Sequence, residues 1–523
     1  MLAETAALVN SSGEAPPLLE IFGLISEAHE LHEKAQNFLE LTLMIEAANK
    51  EAKNARDTLY NIKSEIDNMM PGLAVLARAN PQQLRSDTLK ENFGAFLLEL
   101  ERLSDKPASL HEAVNTMRAT GSEAWRAFWS ERFALTQKKL GLGLGILQNG
   151  IRSGSQAHAE QCALSEIELS KAAAEDAHPA LKNIKLEFHN RGKLYGFNSA
   201  LDYMLDMYKI PGDLFQTFME AAGKIGRKSI DEYLSFSKCT AIKPYELDRF
   251  GNRLGGTDYD ECVKTVRDCF AARSSLLAEM VDAAIDNRLI DNEPRDGKRS
   301  GACITSIHAL KRSFILSNDT GSTRAIISLA HEMGHNFHHR MMFRHPIVET
   351  RSPMVINEFI SKFFELWIMD FMEETGLLSR CGVQEIMLKT FLKTFCQTIA
   401  MFGFERRFFE LLERGTPDIA EASRIMSDSL REIYGSRLDD SFANPYEWAI
   451  KPHLYYTDIA YYNFPYAIGN ILAMVLYPRF KADALPIDEL GAALSQSGRL
   501  RSFRDFLNLL NVAPADILAV CDT

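Results

Sequence analysis

Two histidines one helical turn apart, in Leu329-Ala330-His331-Glu332-Met333-Gly334-His335, constrain this chain more than any other feature. Residues four apart on an α-helix project from one face, so both imidazoles converge only if this stretch is helical. Their meeting point suits one tetrahedral metal ion, zinc above all, with Glu332 aimed at the water that completes the coordination. The local sequence supports the helix. Asp319, Thr320, Ser322 and Thr323 offer capping side chains, and Ile327, Ala330, Gly334 and Phe337 recur at helical period. Gly334 inside that run costs about 1 kcal/mol relative to alanine, which predicts another backbone passing close at that turn.

A catalytic zinc site needs a third protein ligand. His338 and His339 are badly placed, because a rise of about 1.5 Å per residue puts His338 roughly 10 Å along the axis from His331. The position six residues after His335 is Met341, so the metzincin pattern is absent. A following element must supply the ligand. Ser352-Pro353 reads as the N-cap and first position of a helix running through Trp367, apolar on more than one side. Glu358 and Glu365 share one face of that helix, where unpaired buried carboxylates would be costly and a cation resolves the cost. Glu358 is therefore the expected third ligand, and Glu365 the group that orients a ligand from behind.

The 523 residues, 46% hydrophobic and 24% charged, suit a soluble globular protein of one to three domains. A net charge of -12 argues against nucleic acid as a partner. No apolar run spans a bilayer, the start carries no basic stretch followed by an apolar core, and the eight cysteines include no Cys-x-x-Cys pair. The expectation is a cytoplasmic protein with reduced thiols, no membrane partner and an oligomeric state left open.

Residues 1 to 17 are small and polar and read as a frayed end. From Leu18 to Met70 apolar residues recur at helical period, and Pro71-Gly72 and Asn80-Pro81 are expected to break the run. Further amphipathic helix passes through Leu103, Met117, Trp125, Trp129 and Phe133. Gly141-Leu142-Gly143-Leu144-Gly145 matches no phosphate-binding fingerprint and reads as a bend. Ser153 to Ser170 is weakly patterned, with helix resuming around 181–188. Later come helical stretches at 201–207, 215–233, 258–273 and 276–289, and then a turn-rich segment, 296–303. Ser313 to Asn318 is the clearest strand, and an exposed edge there could pair with an extended peptide. Phe391 to Leu412 is again helical.

Lys451 to Gly469 concentrates a histidine and five tyrosines: His453, Tyr455, Tyr456, Tyr461, Tyr462 and Tyr466. Most such residues are core filler. Phenol and imidazole are also the donors that a tetrahedral oxyanion needs opposite a metal ion.

Four motifs in order carry a family resemblance. They are Gly297-Lys298-Arg299-Ser300-Gly301-Ala302, the Leu-Ala-His-Glu-x-Gly-His-x-x-His of 329–338, Glu358-x-x-Ser361-x-x-x-Glu365, and His453-x-Tyr455 ahead of Tyr462-Asn463-Phe464-Pro465-Tyr466. The chain from about Gly192 to Leu518 resembles the thimet oligopeptidase and oligoendopeptidase F family of zinc metallopeptidases. Residues 1–191 resemble it only in being helical, and Ser497-Gly498-Arg499 stands where the family often has a glycine-rich loop. The resemblance implies a mainly α fold, a helical ellipsoid with a deep substrate channel and a small β-sheet beside the zinc-binding helix. It divides the chain into an N-terminal helical region, 1–191, and a catalytic domain, 192–523. It implies one zinc ion on His331, His335 and Glu358, Glu332 as general base, and His453 and Tyr462 stabilising the oxyanion with Tyr466 a further donor. The implied activity is zinc-dependent endopeptidase cleavage of short unstructured peptides. Two alternatives stay open: a dipeptidyl carboxypeptidase of the angiotensin-converting-enzyme type, and a zinc-stabilised peptide binder without turnover.

Overall fold

The computed structural model describes residues 17–46, 49–104, 108–117, 121–249, 258–293, 295, 298, 301–318 and 322–522. The first helices in chain order are α1 Leu18–Ile45, α2 Lys50–Ala79, α3 Asp87–Ser104, α4 Ala108–Met117, α5 Glu123–Leu140, α6 Leu144–Ser153 and α7 Gln156–Leu194. Next come α8 Ala200–Met207, α9 Gly212–Ser237, α10 Tyr259–Ala271 and α11 Ser275–Asp286, and then strands β1 Ile290–Asp291, β2 Cys303–Ile307 and β3 Arg312–Leu316. The remainder is α12 Thr323–Met342, α13 Met354–Glu374, α14 Arg380–Leu392, α15 Thr398–Arg414, α16 Ile419–Tyr434, α17 Glu447–Ile450, α18 Phe464–Lys481, α19 Ile487–Ser495, α20 Phe503–Leu509 and α21 Pro514–Ala519. The fold is mainly α with one small sheet, as the motifs imply. No described helix is long and apolar enough to cross a membrane.

The largest core gathers around α12, α13 and α18. Phe337, Phe359, Phe363, Phe364, Ile468 and Leu472 are fully buried there, so the two helices with candidate ligands are held by apolar contact over most of their length. Two glycines set how closely they approach. A Cβ on Gly334 would lie 3.0 Å from Ile360 O and Ser361 Cα, so the expected close backbone is that of α13. A Cβ on Gly469 of α18 would lie 2.7 Å from Phe359 N and 2.8 Å from Glu358 C. Both faces of α13 are thus pinned at the turn bearing Glu358.

Several local readings need correction. Pro71 does not end its helix, because α2 continues through it to Ala79. Met70, Leu73, Ala74 and Ala77 on that turn are buried against Phe22, Phe93 and Phe96, and this burial offsets a proline cost of about 3 kcal/mol. Residues 156–170 are not loop but the start of the 39-residue α7, capped by Ser155. Its buried stripe is largely alanine and cysteine, Ala159, Cys162, Ala163, Ala173, Ala174 and Ala177, which carries a weak apolar signal in sequence. One helix therefore runs across the 191/192 division. Ser352 is not the cap of α13. Pro353 has an extended ψ of 137°, and its carbonyl accepts the Ile356 amide at 2.9 Å, so it occupies the cap position itself. The expected bend falls at residues 141–143, with Gly141 ending α5 at φ 64° and Leu144 and Gly145 already in α6.

The sheet order is β1-β3-β2. β3 pairs parallel with β1, Ile290 opposite Ile315, and antiparallel with β2, Cys303 opposite Leu316. The strand expected to offer a free edge is therefore central. The outer strand beside it is β2, and Cys303, read in sequence as part of a turn, opens that strand. Of the turn-rich motif, Asp296, Gly297, Arg299 and Ser300 lie outside the described residues, as do Asp319, Thr320 and the 1–16 end. Lys298 is 0% exposed and donates to Asp291 Oδ1, Glu293 O and Ser317 O, which ties the segment to the sheet.

Candidate active site

Ser322 caps α12, its hydroxyl accepting the Ala325 amide at 3.1 Å, and the helix then runs straight through both histidines. His331 Nε2 and His335 Nε2 stand 3.2 Å apart. One ligand atom from each of His331, His335 and Glu358 lies within 4.8 Å of the others. Two imidazoles and a carboxylate form a donor set used by catalytic zinc, and bonds of about 2 Å at tetrahedral angles need nitrogens about 3.3 Å apart. The residues present fit such an ion.

The surrounding groups orient these donors. His331 Nδ1 donates to Glu365 Oε1 at 2.6 Å, so its Nε2 is the nitrogen left for a metal. Lys362 donates to the same Glu365 oxygen at 2.8 Å. Burial alone would raise the Glu365 pKa, but Lys362 and His331 hold it down at about 2. Burial would likewise lower the His331 pKa, and the Glu365 hydrogen bond and charge reverse this to a net rise. Glu358, 7% exposed, is raised by burial. Its backbone carbonyl accepts the Ser361 hydroxyl at 2.9 Å, and the nearby Tyr466 hydroxyl opposes the rise. Glu332 is 5% exposed, and burial, followed by the nearby Glu358 and Glu365 charges against His331, pushes it up to about 7.

His331 and Glu332 open onto a cleft of about 420 Å³ whose walls include Lys362, Glu365, His453, Asn463 and Tyr466. The His453 ring stacks on Tyr462 with centroids 4.5 Å apart, and Tyr462 packs on Tyr456 at 4.8 Å. Tyr466 Oη lies 3.4 Å from Tyr462 Oη. The remaining tyrosines of this segment are core. Tyr455 is fully buried, stacked on Trp129 at 4.1 Å, with its hydroxyl donating to Trp448 O at 3.1 Å. Tyr461 is 2% exposed with φ 53°, a backbone state that favours glycine, held by packing on Phe402 and Phe409. That turn sets the direction in which Tyr462 leaves the chain.

The structure brings Glu332, His453 and Tyr466 onto one cleft beside His331, His335 and Glu358, while Tyr462 stacks on His453 without lining the cleft itself. His453 and the tyrosines come from more than a hundred residues downstream of the histidine pair. His338 is turned away, buried against Ser497 at 2.8 Å, and His339 bonds Ser313 at 3.0 Å. Ser497-Gly498-Arg499 likewise does not line the cleft at His331, Arg499 pairing with buried Glu349 at 3.0 Å. Sequence reading missed Lys362, although its spacing of three from Glu365 was a usable signal. It also missed Asn463, 6% exposed on the cleft wall, whose Nδ2 has no partner among the described residues. Arg324, Lys393 and Lys451 further along the wall carried no local signal at all.

This architecture and site define a class. The fold matches PZ peptidase A, solved with an inhibitor, at a TM-score of 0.83 and 15% identity, covering 100% of this chain and 94% of that one. It matches oligoendopeptidase F from Enterococcus faecium at 0.68 and 14% identity, covering 100% and 95%. The fold is that of the oligoendopeptidases. Residues 272–501 match the model of peptidase family M3, and 304 residues are 30% identical to the chromosomal oligoendopeptidase F of Lactococcus lactis subsp. cremoris, covering 55% of this chain and 48% of that protein. The resemblance drawn from the motifs holds for this part of the chain, which is similar to M3 peptidases of the oligoendopeptidase F type. The chain spans about half the length of the curated relatives it matches.

Proposed function

We propose that this protein is a zinc-dependent oligoendopeptidase that hydrolyses short unstructured peptides in the cytoplasm. The observation that carries this reading is the meeting of His331, His335 and Glu358 within 4.8 Å, with Glu332 on the same face and open to a cleft. A pure binder has no need of a buried carboxylate beside a metal. Bound on those three residues, one zinc ion would supply a Lewis acid and a water of lowered pKa.

The chain's own residues do the rest. Glu332 takes the proton of the attacking water and delivers it to the departing amine. His453 and Tyr462, stacked on one another, donate to the oxyanion that forms at the scissile carbonyl. The Tyr466 hydroxyl favours the charged form of Glu358, and Lys362 with Glu365 fixes the His331 tautomer. Asn463 offers a donor to the peptide backbone. A cleft of about 420 Å³ admits a few residues of extended chain and excludes a folded domain. Residues 192–523 form the catalytic domain in this reading, and the described part of residues 1–191 a helical region beside it. The eight free cysteines fit a reducing compartment.

Glu332→Gln tests the proposal. The variant should keep its metal, because the ligands are untouched, and lose at least about 10²-fold in turnover. Near-normal peptidase activity would remove Glu332 from the mechanism. Mass spectrometry of products from a peptide library separates internal cleavage from C-terminal trimming by pairs.

A further inference from the structure

We propose that the cleft wall N-terminal to His331 is a carboxylate-binding subsite, which selects peptides bearing an anionic group a few residues from the bond that is cut. For the class of ligand, this rests on the peptidase reading above. Arg324, Ile327, Ser328 and His331 recur at spacings of three and four on α12, and all four line the cleft. Arg324 therefore sits two turns from the metal ligand, about 10 Å along the axis, the reach of about three extended residues.

Two further cations come from unrelated parts of the chain. Lys393 opens a π-helical turn, Lys393–Gln397, inserted between α14 and α15, which places Lys393, Thr394 and Gln397 on the wall. Lys451 lies two residues before His453 and joins the same wall. Their side chains are 35% and 36% exposed. Each is held by a carboxylate, Lys393 by Asp248 at 2.5 Å and Lys451 by Glu447 at 3.1 Å. Lys362, by contrast, is committed to Glu365. Beyond the metal end, three cations from three separate segments, Arg324, Lys393 and Lys451, thus meet on one wall, with Glu447, Asp248 and Glu166 acting on the lysines from behind.

These cations lie in a partly enclosed space where charge is weakly screened. Burial first, then the Arg324 and Lys451 charges, lower the Lys393 pKa against Asp248, whereas Glu447, Asp248 and Glu166 raise that of Lys451. An arriving carboxylate accepts charge-assisted hydrogen bonds from these cations. Met369, Ile386 and Met401 beside the cations suit an apolar side chain next to the anionic group. The anion can be the peptide's own C-terminus or an acidic side chain, and the chemistry is shared.

The test uses the zinc-loaded full chain and N-terminally blocked fluorescent peptides with one to five residues after the cleaved bond, each made as free acid and as amide. A third series is amidated and carries aspartate at each position in turn. At one length or position, kcat/KM should be at least about 10-fold higher for the anionic peptide than for the neutral one, and the difference should shrink as salt is raised. Preference for the free acid alone assigns the C-terminus, and equal preference for internal aspartate assigns the side chain. Arg324→Gln with Lys393→Gln should narrow the ratio to about 3-fold or less, and Arg324→Lys should retain most of it. Equal rates for acid, amide and aspartate peptides at every length would overturn the proposal without any variant. Affinity measured by anisotropy on Glu332→Gln protein separates the two readings. Acid preferred over amide with no cleavage by wild type sinks the peptidase and keeps the subsite, whereas cleavage with equal affinities does the reverse.

Discussion

Gly469→Ala probes how the packing of α18 on α13 holds a metal ligand. The added Cβ would stand 2.7 Å from Phe359 N, 2.8 Å from Glu358 C and 3.1 Å from Glu358 Cβ. Carbon contacts prefer about 3.5 Å or more, so the helices must separate by roughly 0.5–0.8 Å. The two nearest of these atoms are backbone, which cannot rotate away. Such overpacking costs about 1–3 kcal/mol, and removing glycine from a helix interior returns about 1 kcal/mol, leaving a net loss of roughly 0–2 kcal/mol. Stability therefore changes little. Metal bonds, however, tolerate only about 0.2 Å of error, and the displaced segment is the one that carries Glu358. Zinc affinity should fall about 10- to 100-fold, the scale of losses when a group supporting a ligand is disturbed. Competition with a chromophoric chelator measures it, with melting temperature of the metal-free protein alongside. Gly223→Ala is the control. Its Cβ would meet only Arg227 Nη1, at 3.5 Å, so it should stabilise by about 1 kcal/mol and leave zinc binding alone. A Gly469→Ala protein that binds zinc within about twofold of wild type would refute the reasoning.

Metal analysis after dialysis should rank three variants: Glu358→Ala loses zinc most, Glu365→Ala loses about 10- to 100-fold in affinity, and His338→Ala loses none, since His338 faces Ser497. A full site in Glu358→Ala beside an empty one in His338→Ala would reverse the ligand assignment. Tyr462→Phe keeps the ring that stacks on His453 and should lower kcat by roughly 10²-fold or more with little change in KM. Wild-type turnover would transfer the oxyanion role to Tyr466. Glu166 on α7 is pushed up to about 7 by burial, with Glu447 and Asp248 adding to the rise and Lys451 and Arg152 opposing it. Its folded pKa exceeds the ordinary 4.5, so the native state holds the extra proton between those values, and stability falls as pH rises from about 4.5 to 7, then levels. The side chain is partly exposed, so the loss is about 1–2 kcal/mol. Glu166→Gln should therefore melt higher than wild type at pH 8 and equally at pH 5. An identical gap at both pH values would contradict the shift.

What could be read without the structure was what a single helix dictates. Four-residue spacing puts His331, Glu332 and His335 on one side of α12. The cost of a buried carboxylate singled out Glu358, and the cost of a glycine in a helix foretold the close pass of α13 at Gly334. These are local rules, and a window of a few turns contains all their terms. Where the local rules erred, tertiary burial outweighed them. Pro71 stays helical because Met70, Leu73 and Ala74 are buried beside it, and α7 starts at Gln156 because an alanine stripe packs well without looking apolar. Strand β3 read correctly as a strand, but whether its edges are free depends on β1 and β2, which pair with it from both sides.

Which tyrosines are core filler and which flank His453 was also decided in three dimensions. Tyr455 and Tyr462 have similar neighbours in sequence, and only the arrival of Trp129 over the first and His453 over the second separates filler from a candidate donor. The basic wall is the extreme case. Arg324, Lys393 and Lys451 are ordinary surface-type residues in their own segments, because an electrostatic field depends on distances in space and not on order along the chain. The sequence by itself determined the candidate metal site, through the histidine spacing of α12 and the carboxylates of α13. Only the packing of α12, α13, α18 and the π turn decided what surrounds the reacting bond.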